Sequence, residues 1–382
     1  MRDEHQSEKG QTPGYLTASE STGNCGFASL YEARLFGAAL GSLGDLCRAT
    51  PGEGEAEPKQ IGEGTQGSTE RGTSPEATRR EENDSMRAPE GLIIRPPSEA
   101  GSLLLRVVRG CHWNRCQFCG IYEAYGQPFE TRPVKDVLED IDLLKQYWGD
   151  YPRTAFLGDA DPLERPAEDL VPIVERLRER FPTVERVTAY ARASSLYTKS
   201  LEDLERIRKS GLDRVHVGLE TGSDALLRFH KKGISQKVLI ESGKKVRKAG
   251  IELSYYVLLG LGGTDRWKEH MTETARVINE TCPAFVRIRR LWIHPHTKLG
   301  GKIEEGTFQE QSPEGTVMEL RLLVDEITVD GPHLTCDHAN NYVSLHGDLL
   351  KDKQDMLDQV DEFLDMPEET RDRHYRVVGS VI

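Results

Sequence analysis

The sequence predicts an α/β fold, in which helices pack around a sheet of parallel strands. From about residue 102 onward, short apolar runs alternate with longer amphipathic segments. This alternation is typical of βα units, in which each helix returns the chain to the start of the next parallel strand. Several amphipathic segments end in glycine or a basic residue, as helix C-termini prefer. The predicted strands are residues 103–110, 154–159, 186–192, 214–220, 252–260 and 285–292, and the helices between them include residues 134–148, 167–181, 201–211 and 235–250.

The chain divides by composition into a tail, a core and an extension. Residues 1–85 hold 13 of the 36 glycines and little apolar surface, so burial there cannot offset the entropy of ordering. We therefore expect a low-complexity, disordered tail over residues 1–85. The βα array predicts a core over residues 86–300, and we expect residues 301–382 to form a mostly helical C-terminal extension.

Composition also narrows the classes of function. The chain has 382 residues and a formal net charge of −13, whereas nucleic-acid binding usually needs a basic surface. We expect no membrane span and no secretory signal, because the sequence shows neither a sufficiently long apolar run nor a basic segment before one. Seven cysteines are few for this length, which favours a reduced cytoplasmic protein over a disulfide scaffold.

Three of the cysteines fall within nine residues of each other. Cys111, Cys116 and Cys119 have the spacing C-x4-C-x2-C and directly follow the first predicted strand. A loop this short lets three thiolates converge on a soft metal centre. Structural zinc would need a fourth ligand, for which His112 is badly placed, and a [2Fe–2S] cluster would need a fourth cysteine, for which Cys282 is too remote. A [4Fe–4S] cluster with one open iron needs only three cysteines; zinc and ordinary loop cysteines remain the alternatives.

Other polar residues also follow predicted strands. Asp159 and Asp161 come after the second strand, Arg192 closes the third and Glu220 closes the fourth. The glycine-rich segment 258–263 follows the fifth strand. Because ligands of parallel α/β sheets bind at the carboxyl ends of the strands, this distribution predicts an active site along one rim.

The cysteine motif resembles that of the radical SAM superfamily. That family usually has C-x3-C-x2-C after a first β-strand, with an aromatic residue before the last cysteine, here Phe118; one extra residue separates Cys111 from Cys116. The resemblance implies a partial (β/α)6 TIM-like barrel. It also implies that Cys111, Cys116 and Cys119 hold a [4Fe–4S] cluster whose open iron binds S-adenosylmethionine (SAM). One electron from the cluster would then cleave SAM to a 5′-deoxyadenosyl radical.

The rest of the rim fits the same resemblance. Asp159 and Asp161 stand where the family's GGE-like segment meets the SAM amino group, and a carboxylate can accept hydrogen bonds from an amine. Residues 215–233 resemble the strand-four motif of the branch with coproporphyrinogen dehydrogenases, methylthiotransferases and the elongator catalytic subunit. The match implies that Glu220 binds the ribose hydroxyls and Lys232 the SAM carboxylate, with Arg192 as a further polar contact. The alternatives are helix capping by the aspartates, a solvated Lys232 and an ion pair of Arg192 at the core edge.

Cys336 and Tyr342 lie in a polar stretch that resembles the tail of an uncharacterised branch of the family. We interpret this stretch as a lid or substrate-contact loop with Cys336 or Tyr342 as a hydrogen-atom donor; turn and cap chemistry is the alternative.

The sequence thus predicts a radical SAM enzyme that acts on an unidentified small-molecule or macromolecular substrate. Its expected partner is a reductant such as ferredoxin or flavodoxin, and neither nucleic acid nor a membrane is expected. The alternative from another class is a non-enzymatic iron–sulfur electron carrier or a structural metal-binding protein. Such a protein would not need Asp161, Glu220 and Lys232.

Overall fold

An eight-stranded sheet organises the part of the chain that the computed structural model describes, residues 93–294 and 297–380. The strands are β1 (Leu103–Arg106), β2 (Val108–Arg109), β3 (Glu130–Thr131), β4 (Thr154–Gly158), β5 (Arg186–Ala191), β6 (Arg214–Glu220), β7 (Glu252–Leu259), β8 (Phe285–Arg290), β9 (His333–Cys336) and β10 (Leu345–Asp348). The order in the large sheet is β1-β4-β5-β6-β7-β8-β9-β10. All neighbours are parallel except β9 and β10, while β2 and β3 form a separate antiparallel pair.

Helices connect the parallel strands, as the amphipathic segments predict. They are α1 (Ile121–Ala124), α2 (Val134–Trp148), α3 (Ala167–Arg180), α4 (Ala193–Thr198), α5 (Leu201–Ser210), α6 (Asp224–Phe229), α7 (Gln236–Lys248), α8 (Gly263–Thr281), α9 (Lys298–Glu304), α10 (Pro313–Glu326), α11 (Lys353–Leu364) and α12 (Glu368–Gly379). Helix α5 shows why these segments fold locally, since the Ser200 side chain accepts a hydrogen bond from the Asp203 amide at its start. The prediction of an α/β fold built as a partial (β/α)6 barrel is confirmed. The predicted tail, residues 1–85, lies outside the described residues.

The two faces of the sheet differ in chemistry because successive side chains of a strand point to opposite faces. On the outer face, apolar side chains pack under the helices, and Tyr255 donates a hydrogen bond to the Leu239 carbonyl of α7. On the inner face, Phe156, Tyr190, His216 and Tyr256 form a row of rings. The successive ring centroids are 5.1, 6.2 and 6.0 Å apart. An aromatic layer thus lines the inner face across β4, β5, β6 and β7.

A short 3-10 turn, Pro97–Glu99, lies at the amino ends of the strands, and its acid is fully buried. Glu99 accepts hydrogen bonds from the Ser102 hydroxyl at 2.6 Å and, from the start of β6, from His216 Nε2 at 3.2 Å. Arg186, the first residue of β5, lies 3.7 Å from the same carboxylate. The turn therefore ties together the ends of the strands that lie away from the predicted rim.

The C-terminal extension contributes β9 and β10, which the sequence analysis did not identify. Each strand has four residues, HLTC and LHGD, which are too short and too polar to give a periodic signal. Strand β9 forms because the edge of β8 offers free backbone groups, with which residues 333–335 pair in parallel. Helices α10, α11 and α12 make up most of the rest of the extension. Among the described residues, no helix combines the length and the apolar character needed to cross a membrane.

Candidate active site

The three cysteines lie on one loop, residues 111–120, which we call the cysteine loop. All three are half-buried free thiols. Asn114 adopts a left-handed conformation (φ 37°) between the first two cysteines, a conformation that asparagine tolerates well. Its amide points to Cys111 Sγ at 3.5 Å, and the Cys119 amide donates to the Cys116 carbonyl at 3.2 Å. The turn at Asn114 thus lies within the four-residue spacing between Cys111 and Cys116.

The thiols are close enough for their charges to interact. Burial raises the pKa of the Cys119 thiol to about 11, thiolates at Cys116 and Cys111 raise it further, and Lys232 opposes the rise. In the described parts of the chain, no three His, Cys, Asp or Glu side chains converge on a position for a single metal ion. A [4Fe–4S] cluster binds each thiolate through a different iron and so takes separated thiolates. Three soft donors on one loop, with a cation beside them, fit such a cluster.

The cysteine loop is fastened to the segment that follows α6. The Gln117 amide donates to the His230 carbonyl at 2.9 Å, and the Trp113 indole donates to the Lys231 carbonyl at 2.7 Å. Gly233 (φ +77°) lies directly under the indole, and a Cβ there would be 2.3 Å from Trp113 Cζ2. The loop carrying the cysteines and the motif after β6 therefore form one packed unit.

Asp159 is fully buried and holds the start of the cysteine loop. Its Oδ2 accepts a hydrogen bond from the Gly110 amide at 3.0 Å, and its Oδ1 lies 3.4 Å from Arg106 Nε. Burial raises the pKa of this carboxyl, and the Arg106 guanidinium opposes that rise. Both oxygens are thus engaged by the protein, and a cofactor contact by Asp159 stays a prediction.

Asp161 links the cysteine loop to the end of β5. Its Oδ1 accepts from the Arg192 amide at 3.0 Å, and its Oδ2 accepts from the Ser195 hydroxyl at 2.6 Å. His112 Nδ1 lies 3.5 Å from the same Oδ2. Burial raises the pKa of the Asp161 carboxyl to about 7. Asp161 makes no capping hydrogen bond to the 3-10 turn Pro162–Glu164, so the capping alternative is wrong for this residue.

Glu220 and Lys232 form a partly buried ion pair at the end of β6. The Lys232 ammonium lies 3.1 Å from Glu220 Oε1 and 5.8 Å from the centroid of the Phe118 ring. Lys232 is 8 % exposed, so the alternative of a solvated lysine is wrong. Glu220 has a φ of 60°, which is rare for a residue other than glycine and is found preferentially at functional sites.

Arg192 joins this ion pair to the cysteine loop. Its Nη2 donates to the Lys232 carbonyl at 2.8 Å, and its Cζ lies 5.3 Å from the centroid of the Trp113 ring. No carboxylate partner of Arg192 is found within the described residues, so the alternative of an ion pair at the core edge is not observed. The structure therefore brings together the three cysteines, Phe118, Asp159, Asp161, Arg192, Glu220 and Lys232.

Cys336 and Tyr342 are not part of this group. Cys336 lies on the outer face of β9, fully buried, and its thiol donates to the Val343 carbonyl at 3.2 Å. Burial raises the pKa of this thiol to about 12. Tyr342 packs its ring on the Arg290 guanidinium at 4.5 Å and edge-on against Tyr375 of α12 at 5.0 Å. None of these contacts reaches the cysteine loop, and a role for Cys336 or Tyr342 as a hydrogen-atom donor stays a prediction.

Sequence reasoning missed Glu319, which supports the rim from the extension. It is fully buried on α10, and its Oε2 accepts a hydrogen bond of 2.6 Å from the amide of Gly260, directly after β7. Its Oε1 lies 3.3 Å from Gln311 Nε2. Burial raises the pKa of the Glu319 carboxyl to about 8. No sequence signal separates this acid from the other charged residues of an amphipathic helix.

Comparison with known proteins identifies the part of the chain that carries the cysteine loop. Residues 105–275 match the family model described as "Radical SAM superfamily". One relative is an uncharacterised methyltransferase of Pyrococcus horikoshii, which is 22% identical over 50% of this chain and 39% of its own length. Another is a tRNA-2-methylthio-N(6)-dimethylallyladenosine synthase of Thermodesulfovibrio yellowstonii, which is 20% identical over 59% of this chain and 51% of its own length. The chain thus spans only about half, or less, of the length of these relatives.

Solved structures that align with part of this chain include two radical SAM enzymes. The radical SAM methyltransferase TsrM of Kitasatospora setae, with cobalamin and a [4Fe–4S] cluster bound, aligns with a TM-score of 0.45 at 18% identity over 55% of this chain and 40% of its own. The coproporphyrinogen III oxidase HemN of Escherichia coli aligns with a TM-score of 0.45 at 15% identity, over 59% of this chain and 51% of its own.

The matched stretch runs from β1 through β7 and includes the cysteine loop, both aspartates, Arg192 and the Glu220–Lys232 pair. The cofactors of the matching family are a [4Fe–4S] cluster and SAM. Residues 105–275 are therefore a radical SAM domain.

Proposed function

We propose that this chain holds a [4Fe–4S] cluster on Cys111, Cys116 and Cys119, cleaves SAM reductively and uses the resulting radical on a substrate. The observation that carries the proposal is the junction of the cysteine loop with the ends of β4, β5 and β6. At that junction the cysteine loop contacts Asp161 through His112 and Lys232 through Phe118, and Arg192 hydrogen-bonds to both Asp161 and Lys232. When bound, the cluster supplies the electron that breaks a carbon–sulfur bond of SAM.

The residues of the chain would bind and orient SAM by charge and by packing. Lys232 presents an ammonium beside the cysteine loop, where it can pair with the SAM carboxylate. Glu220, held by Lys232, can accept hydrogen bonds from ribose hydroxyls. Asp161 would accept from the SAM amino group, a task that suits its position beside His112. Phe118 and the apolar cluster of Leu261, Leu291, Leu299 and Phe308, against which it packs, would exclude water from the site.

A substrate and a reductant complete the proposed reaction. The reductant would be a small electron-transfer protein such as ferredoxin or flavodoxin. We also propose a cytoplasmic location, because the five cysteines among the described residues are free and thiolates that hold a cluster need reducing surroundings.

The proposal is tested under anaerobic conditions with the purified full chain. We would reconstitute it with iron and sulfide, reduce it, record electron paramagnetic resonance with and without SAM, and assay 5′-deoxyadenosine. The variant Cys116→Ala removes a proposed ligand. Cys282→Ala is the matched control, since Cys282 is a half-buried free cysteine outside the loop.

We expect a [4Fe–4S]⁺ signal that SAM perturbs, with deoxyadenosine formed by the wild type and by Cys282→Ala. Cys116→Ala should form none. A cluster whose signal does not respond to SAM, with no deoxyadenosine, would leave the iron–sulfur electron carrier as the better proposal. A site that takes up zinc in place of iron would point to a structural metal.

A further inference from the structure

We propose that Arg287 and Arg289, on the inner face of β8, bind an anionic group of the substrate, a carboxylate or a phosphate. This inference rests on the proposed function, since it concerns the substrate of the same site. It deepens that proposal by naming a chemical class for what the enzyme recognises.

Both arginines lie on the inner face. Tyr256, in register with Arg287 on the neighbouring strand, has its ring centroid 5.5 Å from the Cζ of Arg289. Arg287 donates through Nε to the Ser254 hydroxyl at 3.2 Å, and its Cζ lies 5.1 Å from the Phe285 ring. Strand geometry explains the pairing of the two arginines, because residues two apart on a strand share a face. The sequence FVRIRR thus presents two guanidinium groups to the interior.

These guanidinium groups lack the partners that buried charges normally have. Arg287 is 8 % exposed, yet within residues 93–294 and 297–380 no carboxylate lies within 4.0 Å of it. Arg289 has one carboxylate neighbour, Asp337 at 3.9 Å, whose side chain is 61 % exposed. Burial lowers the pKa of Arg287, and repulsion from Arg214 and Arg289 adds to this. Because an unpaired buried cation is costly, an anion bound between the two side chains would relieve that cost.

Neutral hydroxyl groups also lie beside the arginines. The Thr335 hydroxyl, on β9 in register with Arg287, is buried and has no hydrogen-bond partner among the described residues. The Tyr256 hydroxyl, beside Ser98, is a second hydroxyl on the inner face, on the ring over which Arg289 lies. Two hydroxyls and two guanidinium groups are a donor set that matches the oxygens of a carboxylate or phosphate, which guanidinium binds through paired hydrogen bonds.

The arginines face the same interior as the cysteine loop. Tyr190, on the inner face of β5, belongs to the aromatic layer that continues through His216 to Tyr256, and Arg289 lies over the Tyr256 ring. Glu220, at the end of β6, is in register with Val257, the residue that follows Tyr256 on β7. A substrate anchored at β8 by its anionic group would therefore lie over the aromatic layer and extend toward the proposed SAM site. The two arginines are distinct from Lys232, the proposed partner of the SAM carboxylate, which lies beside Phe118 of the cysteine loop.

The test measures anion binding to the reconstituted full chain by isothermal titration calorimetry, without SAM or reductant. The probes are inorganic pyrophosphate and citrate, with sodium chloride of equal ionic strength as the blank. The variants are Arg287→Gln, Arg289→Gln and Arg289→Lys, which keeps the charge but loses the guanidinium fork. Arg153→Gln is the matched control, because Arg153 is exposed and 4.0 Å from its surface partner Glu185. SAM binding to each protein is measured in parallel.

We expect saturable binding of at least one probe to the wild type and to Arg153→Gln. Binding should weaken by about tenfold to a hundredfold in each glutamine variant, as for the loss of a charge-assisted hydrogen bond. The affinity of Arg289→Lys should lie between those of the wild type and Arg289→Gln. SAM affinity should not change. The inference is overturned if neither probe binds the wild type, if both glutamine variants bind like Arg153→Gln, or if the variants weaken SAM binding instead. If a glutamine variant does not fold, Arg289→Lys takes its place. Weaker anion binding than in Arg153→Gln supports the inference, and equal binding overturns it.

A failure of this inference can be distinguished from a failure of the proposed function. Heat of anion binding does not depend on electron transfer, so a chain that binds the probes through Arg289 but never cleaves SAM would refute only the proposed function. A chain that cleaves SAM and ignores both anions would refute only the substrate class.

Discussion

The buried acid that supports the glycine segment gives a prediction about stability and pH. Glu319→Gln keeps the shape of the side chain and an oxygen that can accept from the Gly260 amide. It removes the charge that burial disfavours. Because burial raises the pKa of Glu319 from 4.5 to about 8, the folded chain holds a proton there that the unfolded chain releases from about pH 4.5 upward. Stability of the wild type should therefore fall as the pH rises through this window, and Glu319→Gln should not share that fall.

The size of the effect follows from proton linkage. One extra proton in the folded state costs about 1.4 kcal/mol of unfolding free energy per pH unit. Between pH 5 and pH 8 the difference in unfolding free energy between variant and wild type should therefore change by roughly 4 kcal/mol in favour of the variant. Above pH 8 the carboxylate ionises in both states, and the difference should level off.

The assay is urea unfolding of the apoprotein of both chains at pH 5, 6, 7, 8 and 9 and fixed ionic strength. Subtracting the unfolding free energy of the wild type from that of the variant at each pH cancels the contributions of the other titrating groups. Glu326→Gln, an exposed acid at the end of the same helix, is the control and should follow the wild type at every pH. A constant difference between wild type and Glu319→Gln across this range would refute the reasoning, since it would mean that Glu319 is ionised throughout.

Two further predictions concern the site. Gly233→Ala should lower the iron bound per chain after reconstitution, because its Cβ would meet Trp113 at 2.3 Å, with overpacking worth about 1–3 kcal/mol. Gly250→Ala, with nearly the same φ (+78°) but its nearest neighbour 3.9 Å away, isolates the backbone cost and should load normally; equal loading of the two would contradict the clash. Cys336→Ser should still form 5′-deoxyadenosine and turn over substrate once one is known, with a loss of about 1–3 kcal/mol in stability from burying a hydroxyl. A folded, cluster-loaded variant without turnover would support Cys336 as a hydrogen-atom donor.

The fold was predictable where local pattern and tertiary environment agree. The six apolar runs are buried between helices and the barrel interior, and each appears as a parallel strand in the expected order. The four-residue strands β9 and β10 were not predictable, because their pairing depends on the free edge of β8 rather than on their own composition. Their existence is a property of the assembled sheet.

The candidate site was predictable to the extent that its residues form local motifs. Cys111, Cys116 and Cys119 are recognisable by spacing alone, and Asp161 and Glu220 by their place after strands. What Trp113 does depends on Lys231 and Gly233, more than a hundred residues away along the chain. No sequence pattern encodes such a contact. The sequence likewise placed Cys336 in a polar stretch, but the alternation of β9 turns its side chain to the outer face.

The family match ends at residue 275, before β8 begins at Phe285. Strand β8 nevertheless belongs to the same sheet and supplies both inward arginines, followed by β9 with Thr335. On the proposed assignments, the residues that bind the cluster and SAM lie within residues 105–275. The residues that bind the anionic group of the substrate follow them, within residues 285–348 of the same barrel. Such an arrangement is modular: exchanging residues 285–348 between related proteins would alter which molecule is chosen while leaving the handling of SAM in place. Divergence of substrate within this lineage would then be concentrated after residue 275.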